Sequence, residues 1–568
     1  MSTSTDTEKI DNLCSIFMTI REEREKGITF IKSSKEQEKL SYYDLYRKSL
    51  KMLSTLQQRG LTPGDKVIFQ IPDRYNEDFI VLFWACILGR IIPVPLSVGT
   101  NNEHLDKFFR IFSLLKEPYI ATTEEVLQNL QHHNEEFTNR NLIDKSILLD
   151  NIELSDQLGT IQEIKGEDIA FIQFSSGSTG TPKGVILTHN NLITNVKSII
   201  DRLNITYQDR YLSWMPLTHD MGLIGLHLTA VMVSCEQFIM PTSLFIIRPT
   251  LWMKKVSEFR STITASPNFG IKYFLSYYKK KSLNNFDLSS VRVLGTGAEP
   301  ISMEVCEKFI DELRSTGLDE NVFAPCYGLA EATVCVTMSN THEGLKVITL
   351  NRKHLKFGSR VIDVEDDHPD SIPLIDVGLP VKDCYIRVTN HNNEVVDEGI
   401  IGNIEVKGES VTPGYINGEI NTKDLYTYDG WLKTGDLGFL RNGHLIVTGR
   451  RKDIILINGQ NYYPHDIERI CERVDGVGFG NVVACGIYSP TLNEEELTLF
   501  LKLKGKKHFS EVVQSLKSAV ASQFGIEVRS VIPINNVPKT TSGKYQRYKL
   551  KEIHAHNRGL MGERGVNI

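Results

Sequence analysis

Short β-rich runs alternate with helical patterns along roughly the first 330 residues, and this alternation limits the folds open to the chain more than any other feature. KVIFQI (Lys66 to Ile71), DIAFIQF (Asp168 to Phe174) and VRVLGTG (Val291 to Gly297) are such runs. Strands that alternate with helices imply parallel sheets covered by helices. One helix is marked at both ends. Ser41 and Asp44 can form a capping box, Leu45, Leu50, Leu53 and Leu56 keep helical spacing, and Gly60 can close the end. The longest apolar run, Phe79 to Gly89, stops at Arg90 and is too short to cross a bilayer, so a buried helix is expected there and no transmembrane segment.

From about residue 375 the pattern changes to short strands and turns, as in CYIRVTN, GNIEVKG and HLIVTGR. The last 115 or so residues read as a compact α+β unit. DIILIN runs into Asn458-Gly459, a hairpin turn signal, and Pro464 can open the helix HDIERICERV. VVACGIY and LTLFLKLK are strand-like, and a helix follows from about Ser510 to Phe524. A chain of 568 residues suggests two or more domains, here a large α/β body and a small unit hinged behind it.

Composition excludes several classes of function. A net charge of −6 gives no hint of a nucleic-acid surface, and the basic runs Lys279 to Lys281 and Lys504 to Lys507 read most simply as solvated faces, with nucleic-acid binding a distant second. Nine scattered cysteines without a C-x-x-C pair fit reduced thiols in a cytoplasm. The polar, acid-bearing start MSTSTDTEKIDN is not a secretory signal.

FSSGSTGTPKGV (Phe174 to Val185) is the first stretch with chemical content. It is not a Walker A loop, because Pro182 and Gly184 oppose a helix where that motif needs one. Gly177 and Gly180 let backbone amides turn inward as an anion nest; Ser175, Ser176, Ser178 and Thr179 add hydroxyl donors, and Lys183 adds charge. Such a stretch is commonly a linker, but this one lies inside folded sequence, directly after a strand. YGLAEAT (Tyr327 to Thr333) offers Glu331 as a surface acid, a cap or an oxygen ligand for Mg²⁺. GTGAEP (Gly295 to Pro300) lacks the third glycine of a dinucleotide fingerprint, and is a plain turn or a backbone lining for a flat base. KTGDLG places Asp436 on a turn, where its carboxylate can accept both hydroxyls of a ribose. GRRKD (Gly449 to Asp453) joins the body to the terminal unit, and PKTTSGK (Pro538 to Lys544) is a second polar loop ending in lysine. His219-Asp220 in WMPLTHDMGLIG is read as a pocket or packing histidine, since no second histidine cluster supports a metal pair.

Taken in order, these motifs resemble the adenylate-forming superfamily of acyl-CoA synthetases, adenylation domains and luciferases, over about residues 12 to 555. The resemblance implies a large N-terminal body (1–449) with a distorted β-barrel part and a small C-terminal α+β domain (450–568) hinged near Lys452. It also implies roles. Ser175, Ser176, Gly177, Ser178, Thr179, Gly180 and Lys183 would hold the β- and γ-phosphates of ATP. Gly297, Ala298, Glu299 and Pro300, with Tyr327, Gly328, Leu329 and Ala330, would line the adenine. Asp436 would bind the ribose and Arg450 would reach the nucleotide. Glu331 would hold Mg²⁺, Lys544 would be the catalytic lysine, and His219 joins the catalytic candidates.

LTHDMGLIG, ASPNFGIKYFL and DLSSVRVLGTGAEPI look like fatty acyl-AMP ligases, which activate a fatty acid and pass it to the phosphopantetheine thiol of an acyl carrier protein. That subfamily carries an extra segment after YGLAE, matched here by Thr341 to Ser371, which is said to restrain the domain rotation that CoA ligation needs. Its deletion is expected to raise CoA-ligase activity. GTGAEP in place of the commoner NGAEP, and Lys452 where CoA ligases carry aspartate, depart from the wider pattern. The alternatives are a fatty acid–CoA ligase, in which residues 341–371 would be a plain surface excursion, and a non-catalytic acyl-nucleotide binding protein.

Overall fold

The structure is a computed structural model and describes residues 11–99, 102–116, 118–133, 143–175, 182–278, 286–416, 422–457, 460–489, 494–503, 508–540 and 545–561. Its largest sheet runs in the order Leu379–Pro380, Thr337–Met338, Phe323–Tyr327, Val293–Thr296, Ile263–Ala265, Arg210–Ser213, Glu236–Ile239, Gly27–Ile31, Gln37–Ser41. From Phe323–Tyr327 to Gly27–Ile31 every pairing is parallel, with antiparallel partners only at the two edges. A second sheet, Ile92–Pro95, Lys66–Gln70, Tyr119–Thr122 and Ser146–Leu148, is also parallel. The strand–helix alternation therefore has its expected outcome.

DIAFIQF departs from that rule. Its strand, Ile169–Ser175, pairs antiparallel with Lys183–Thr188 as a hairpin outside both parallel sheets. The physical reason is length, because a connection this short cannot make the crossover that parallel pairing requires.

Local signals carried the helices. Ser41 caps Tyr42–Gln58, accepting from the Asp44 amide at 3.0 Å and donating to the Asp44 carboxylate at 2.6 Å. The apolar run becomes the helix Asn76–Leu88, buried throughout from Phe79 onward. Among the described residues no helix is long and apolar enough to cross a membrane.

That buried helix brings one polar group inside. Trp84 Nε1 can only donate, and it donates to His227 Nε2 at 3.1 Å, so the imidazole proton sits on Nδ1. Nδ1 then meets Gln237 Oε1 at 2.9 Å, Gln237 Nε2 donates to Tyr42 Oη at 2.7 Å, and Tyr42 donates to the Cys235 carbonyl. Burial pulls the pKa of His227 down to about 4. His189, whose Nδ1 accepts the Leu13 amide at 3.2 Å, is also lowered to about 4 by burial. Both stay neutral when folded, whereas the unfolded chain protonates them below about pH 6.5. Stability is therefore complete above that pH and falls as pH drops toward 4, by about 3 kcal/mol for each histidine. The urea midpoint is expected to fall over this window, with a shallower fall for His227→Gln; a flat midpoint, or parallel curves, would refute the account.

A four-stranded antiparallel sheet, Cys384–Thr389, Gly402–Gly408, Leu432–Arg441 and His444–Arg450, packs beside the main sheet. Beyond it, Ile455–Ile457 pairs with Gln460–Tyr462 across the expected hairpin, whose turn residues Asn458 and Gly459 lie outside the described residues. Pro464 occupies the first turn of Pro464–Glu472. That helix and Phe509–Phe524 cover the sheet Val482–Ser489, Glu494–Leu501, Val528–Pro533 around a core that includes Ile467, Val482, Leu497 and Val512. All nine cysteines are free thiols.

Residues 341–371 are not a plain surface excursion. Val347–Asn351 pairs antiparallel with Ser371–Ile375, and Leu350, Leu355 and Val361 are buried with Leu437, Phe439, Ile446 and Tyr463.

Candidate active site

Four of the motifs leave the C-terminal ends of parallel strands in the largest sheet. Arg210–Ser213 leads to His219, Ile263–Ala265 to Asn268, Val293–Thr296 to the Gly297–Pro300 turn, and Phe323–Tyr327 to Glu331. In open α/β sheets this edge is where ligands bind, because the strand ends and helix starts leave backbone groups facing a common crevice.

Asp436 comes from the antiparallel sheet, where it pairs in register with Arg450. Arg450 Nε donates to Oδ1 at 2.9 Å, and Tyr327 Oη donates to Oδ2 at 2.7 Å. The carboxylate thus joins the two sheets. An ionised carboxylate has about four acceptor positions, so it can still take a pair of vicinal hydroxyls. Burial and the neighbouring Asp436 carboxylate push the Tyr327 phenol well above its ordinary pKa, so it stays a donor. The same carboxylate holds the Arg450 guanidinium more firmly protonated than usual.

A second group forms around the hairpin. Lys183 lies opposite Ser175 in register, and its ammonium sits 5.4 Å from the centre of the Tyr415 ring. Tyr415 Oη donates to Glu331 Oε1 at 2.8 Å, while the Thr412 amide donates to the Glu331 carbonyl at 2.8 Å. The Ile416 amide donates to the Gly184 carbonyl at 2.8 Å, tying this segment to the hairpin. Burial lowers the pKa of Lys183, and the charge of Glu331 opposes that fall. Tyr415 was missed in the sequence. It lies far from both partners along the chain, and no local spacing marks it. Ser176 to Gly180 lie outside the described residues.

The Gly297–Pro300 turn is shaped by close packing. A Cβ on Gly297 would come within 2.6 Å of the Cys326 carbonyl, and Ala298 adopts a left-handed φ of 67°. A Cβ on Gly328 would come within 1.7 Å of the Val334 carbonyl, so this backbone, too, requires glycine. Glu299 accepts the Phe269 amide with its carboxylate, Pro300 is exposed, Leu329 is half-buried and Ala330 is buried. Thr296 Oγ1, at the end of the strand, is buried and has no hydrogen-bond partner among the described residues.

His219 Nδ1 lies 2.6 Å from Asp220 Oδ1, and both approach the Met221 amide that opens the π-helix Met221–Leu228. The described residues contain no cluster of three His, Cys, Asp or Glu side chains that could hold a metal ion. Lys544 lies outside the described residues; its flanks, Lys539 and Tyr545, form an antiparallel bridge. Lys452 is exposed in the turn after Arg450.

The arrangement suits a nucleoside phosphate. It offers a buried carboxylate for vicinal hydroxyls, a tightly packed glycine backbone for a flat base, and a cation on a hairpin beside an anchored carboxylate. An adenylate-forming ligase needs parts of this kind. Comparison with known proteins agrees: residues 20–416 match the family of AMP-binding enzymes, and the chain belongs to that family. A putative acyl-CoA synthetase of Caulobacter vibrioides is 30% identical over 91% of this chain and 90% of its own length. The medium-chain-fatty-acid–[acyl-carrier-protein] ligase JamA of Moorena producens is 28% identical, covering 92% of this chain and 91% of that one. A structure from work on fatty acyl-adenylate ligases of E. coli and L. pneumophila superposes with a TM-score of 0.88 at 28% identity, over 97% of this chain and 99% of the other. The fold is thus the α/β adenylate-forming fold, and the protein is an acid-activating ligase.

Proposed function

We propose that the protein joins a fatty acid to ATP and then passes the acyl group to the phosphopantetheine thiol of an acyl carrier protein. A carboxylate oxygen attacks the α-phosphorus, the bond to the β-phosphate oxygen breaks, and pyrophosphate leaves. The thiol sulfur then attacks the acyl carbon, AMP departs, and the thiol proton is lost to solvent. The observation that carries the first half is the Asp436 carboxylate, gripped by Tyr327 and Arg450 at the sheet edge. It would accept the ribose hydroxyls, with the Gly297–Pro300 and Tyr327–Ala330 turns against adenine. The hairpin, with Lys183, would hold the phosphates. Glu331, anchored on Tyr415, would supply the carboxylate for Mg²⁺, which takes one or two carboxylates together with phosphate oxygens. Mg²⁺ would neutralise charge on the leaving pyrophosphate.

The preference for a carrier protein over CoA is supported by how residues 341–371 grip what we take to be the C-terminal domain (450–568, hinged near Lys452). Arg352 is almost buried, lies 3.4 Å from Asp466, and stacks 4.7 Å from the centre of the Phe524 ring. Tyr463 Oη donates to the Leu355 carbonyl at 2.9 Å, and Gln523 Nε2 donates to the Pro369 carbonyl at 3.2 Å. These contacts oppose rotation of that domain. Deleting the segment is a poor test, since it would strip Leu350, Leu355 and Val361 from a buried cluster. Arg352→Ala removes the ion pair with Asp466 and the stacking on Phe524 while sparing that cluster. Given ATP, Mg²⁺, a medium-chain fatty acid and CoA, the wild type is expected to accumulate acyl-AMP with only a trace of acyl-CoA. Arg352→Ala is expected to raise acyl-CoA about tenfold, as losing ~1.4 kcal/mol of differential restraint would. Abundant acyl-CoA from the wild type would instead make the protein a CoA ligase, and a folded variant with no gain would exclude Arg352 as a restraint.

A further inference from the structure

Helix Pro464–Glu472 touches the body at both ends. Asp466, near its start, meets Arg352, and Glu472, its last residue, meets Lys272 at 2.7 Å. Lys272 belongs to the helix Asn268–Tyr277, whose second residue, Phe269, donates its amide to Glu299. The Lys272 ammonium also lies 3.4 Å from the centre of the Phe479 ring. Glu472 uses its other oxygen to accept the Gly480 amide at 2.8 Å. Gly480 holds a left-handed φ of 68°, and the ammonium of Lys539 lies 2.9 Å from where a Cβ at that position would be. Lys539 is the first lysine of PKTTSGK and feels the charges of Glu299 and Glu472.

Charges thus alternate across the boundary: Lys272 on the body, Glu472 and Lys539 beyond residue 450, and Glu299 on the body again. Lys539 feels Glu299 and Glu472 more strongly than the like charge of Lys272, and an opposite charge in a partly buried setting is weakly screened. Lys272 and Glu472 expose only 23% and 13% of their side chains, so their pairing is not a solvated surface contact. A displacement of the C-terminal unit would break the Lys272–Glu472 bond and carry Lys539 away from Glu299 together.

We propose that Lys272 and Glu472 are positioning residues that seat the C-terminal unit, through Gly480 and Lys539, over the Glu299 turn for adenylate formation. Neither touches the reacting atoms. The proposal rests on the acyl-adenylate reading above and adds that this pair serves the first half-reaction alone. In the second, where a thiol takes the acyl group from a finished adenylate, the pair has no partner to hold in place.

The test measures both half-reactions in the full-length protein. Fatty-acid-dependent ATP–pyrophosphate exchange reports adenylation; thioester formation from added acyl-AMP and free pantetheine reports transfer. Lys272→Met and Glu472→Gln are each expected to lower the exchange kcat about tenfold, with the KM for ATP changed by less than about twofold. The double variant is expected to lose little beyond either single change, since both remove one bond. Lys272→Arg, which keeps the charge and a reach to Glu472, is expected to retain most of the exchange. Transfer from acyl-AMP is expected to be unchanged in all four variants. Multiplicative losses in the double variant, equal losses in both half-reactions, or no loss of exchange would each overturn the proposal. Absence of exchange in the wild type with every fatty acid tried would instead overturn the underlying reading.

Discussion

Lys544→Ala is expected to lower fatty-acid-dependent ATP–pyrophosphate exchange by roughly 100- to 1,000-fold, the range seen when one preorganised donor is removed from a developing charge. In the proposed reaction negative charge builds between the carboxylate and the α-phosphate, and a lysine there favours the transition state over the ground state. ATP affinity should therefore change little, because in the proposed reading the ribose and base contacts would belong to Asp436, Tyr327 and the glycine turns. The flanks of this lysine are anchored: Lys539 and Tyr545 pair with one another, and the Gln546 amide donates to the Pro538 carbonyl at 2.9 Å. Both flanking residues feel the charge of Glu299 on the body. Equilibrium ATP binding measured beside exchange separates the two effects. Unchanged turnover would remove Lys544 from the mechanism, and a matching loss of ATP binding would make it a binding residue only.

Asp436→Ala is expected to have the second largest effect. Its carboxylate would accept two ribose hydroxyls, and hydrogen bonds to a charged acceptor are worth about 1.5–3 kcal/mol each. Loss of both corresponds to roughly 100-fold or more in kcat/KM for ATP. The substitution also leaves Tyr327 and Arg450 without their shared acceptor. About half of the Arg450 side chain is exposed, so water can solvate its freed charge, but the buried Tyr327 hydroxyl loses its acceptor, and the loss of overall stability should be about 1–3 kcal/mol. A comparison of ATP with 2′,3′-dideoxy-ATP isolates the ribose contribution. The wild type is expected to discriminate strongly between them, and Asp436→Ala hardly at all. A variant that still discriminates as the wild type does would place the ribose elsewhere.

Much of this could be read from the chain because its signals are local. Strand runs, the Ser41 cap, the Pro464 helix start and the Asn458-Gly459 turn act over a few residues, where steric and capping preferences operate without tertiary help. The motifs were legible for a related reason: Gly297 and Gly328 sit where the backbone leaves no room for a Cβ, so the residue type records the constraint. The resemblance of the ordered motifs to adenylate-forming enzymes then named the fold and the chemistry.

What tertiary structure alone decided is which distant groups meet. DIAFIQF looked like another parallel strand, and only its pairing partner made it the arm of a hairpin. Tyr415 reaches Glu331 and Arg352 reaches Asp466 across long stretches of chain, and neither pair has a periodicity that one sequence can display. The same holds for Lys272 and Glu472, which lie 200 residues apart in the chain and form a partly buried bond. Local sequence sets backbone preferences residue by residue, but the energy of a charge pair depends on distance and burial, and the packed fold alone supplies both.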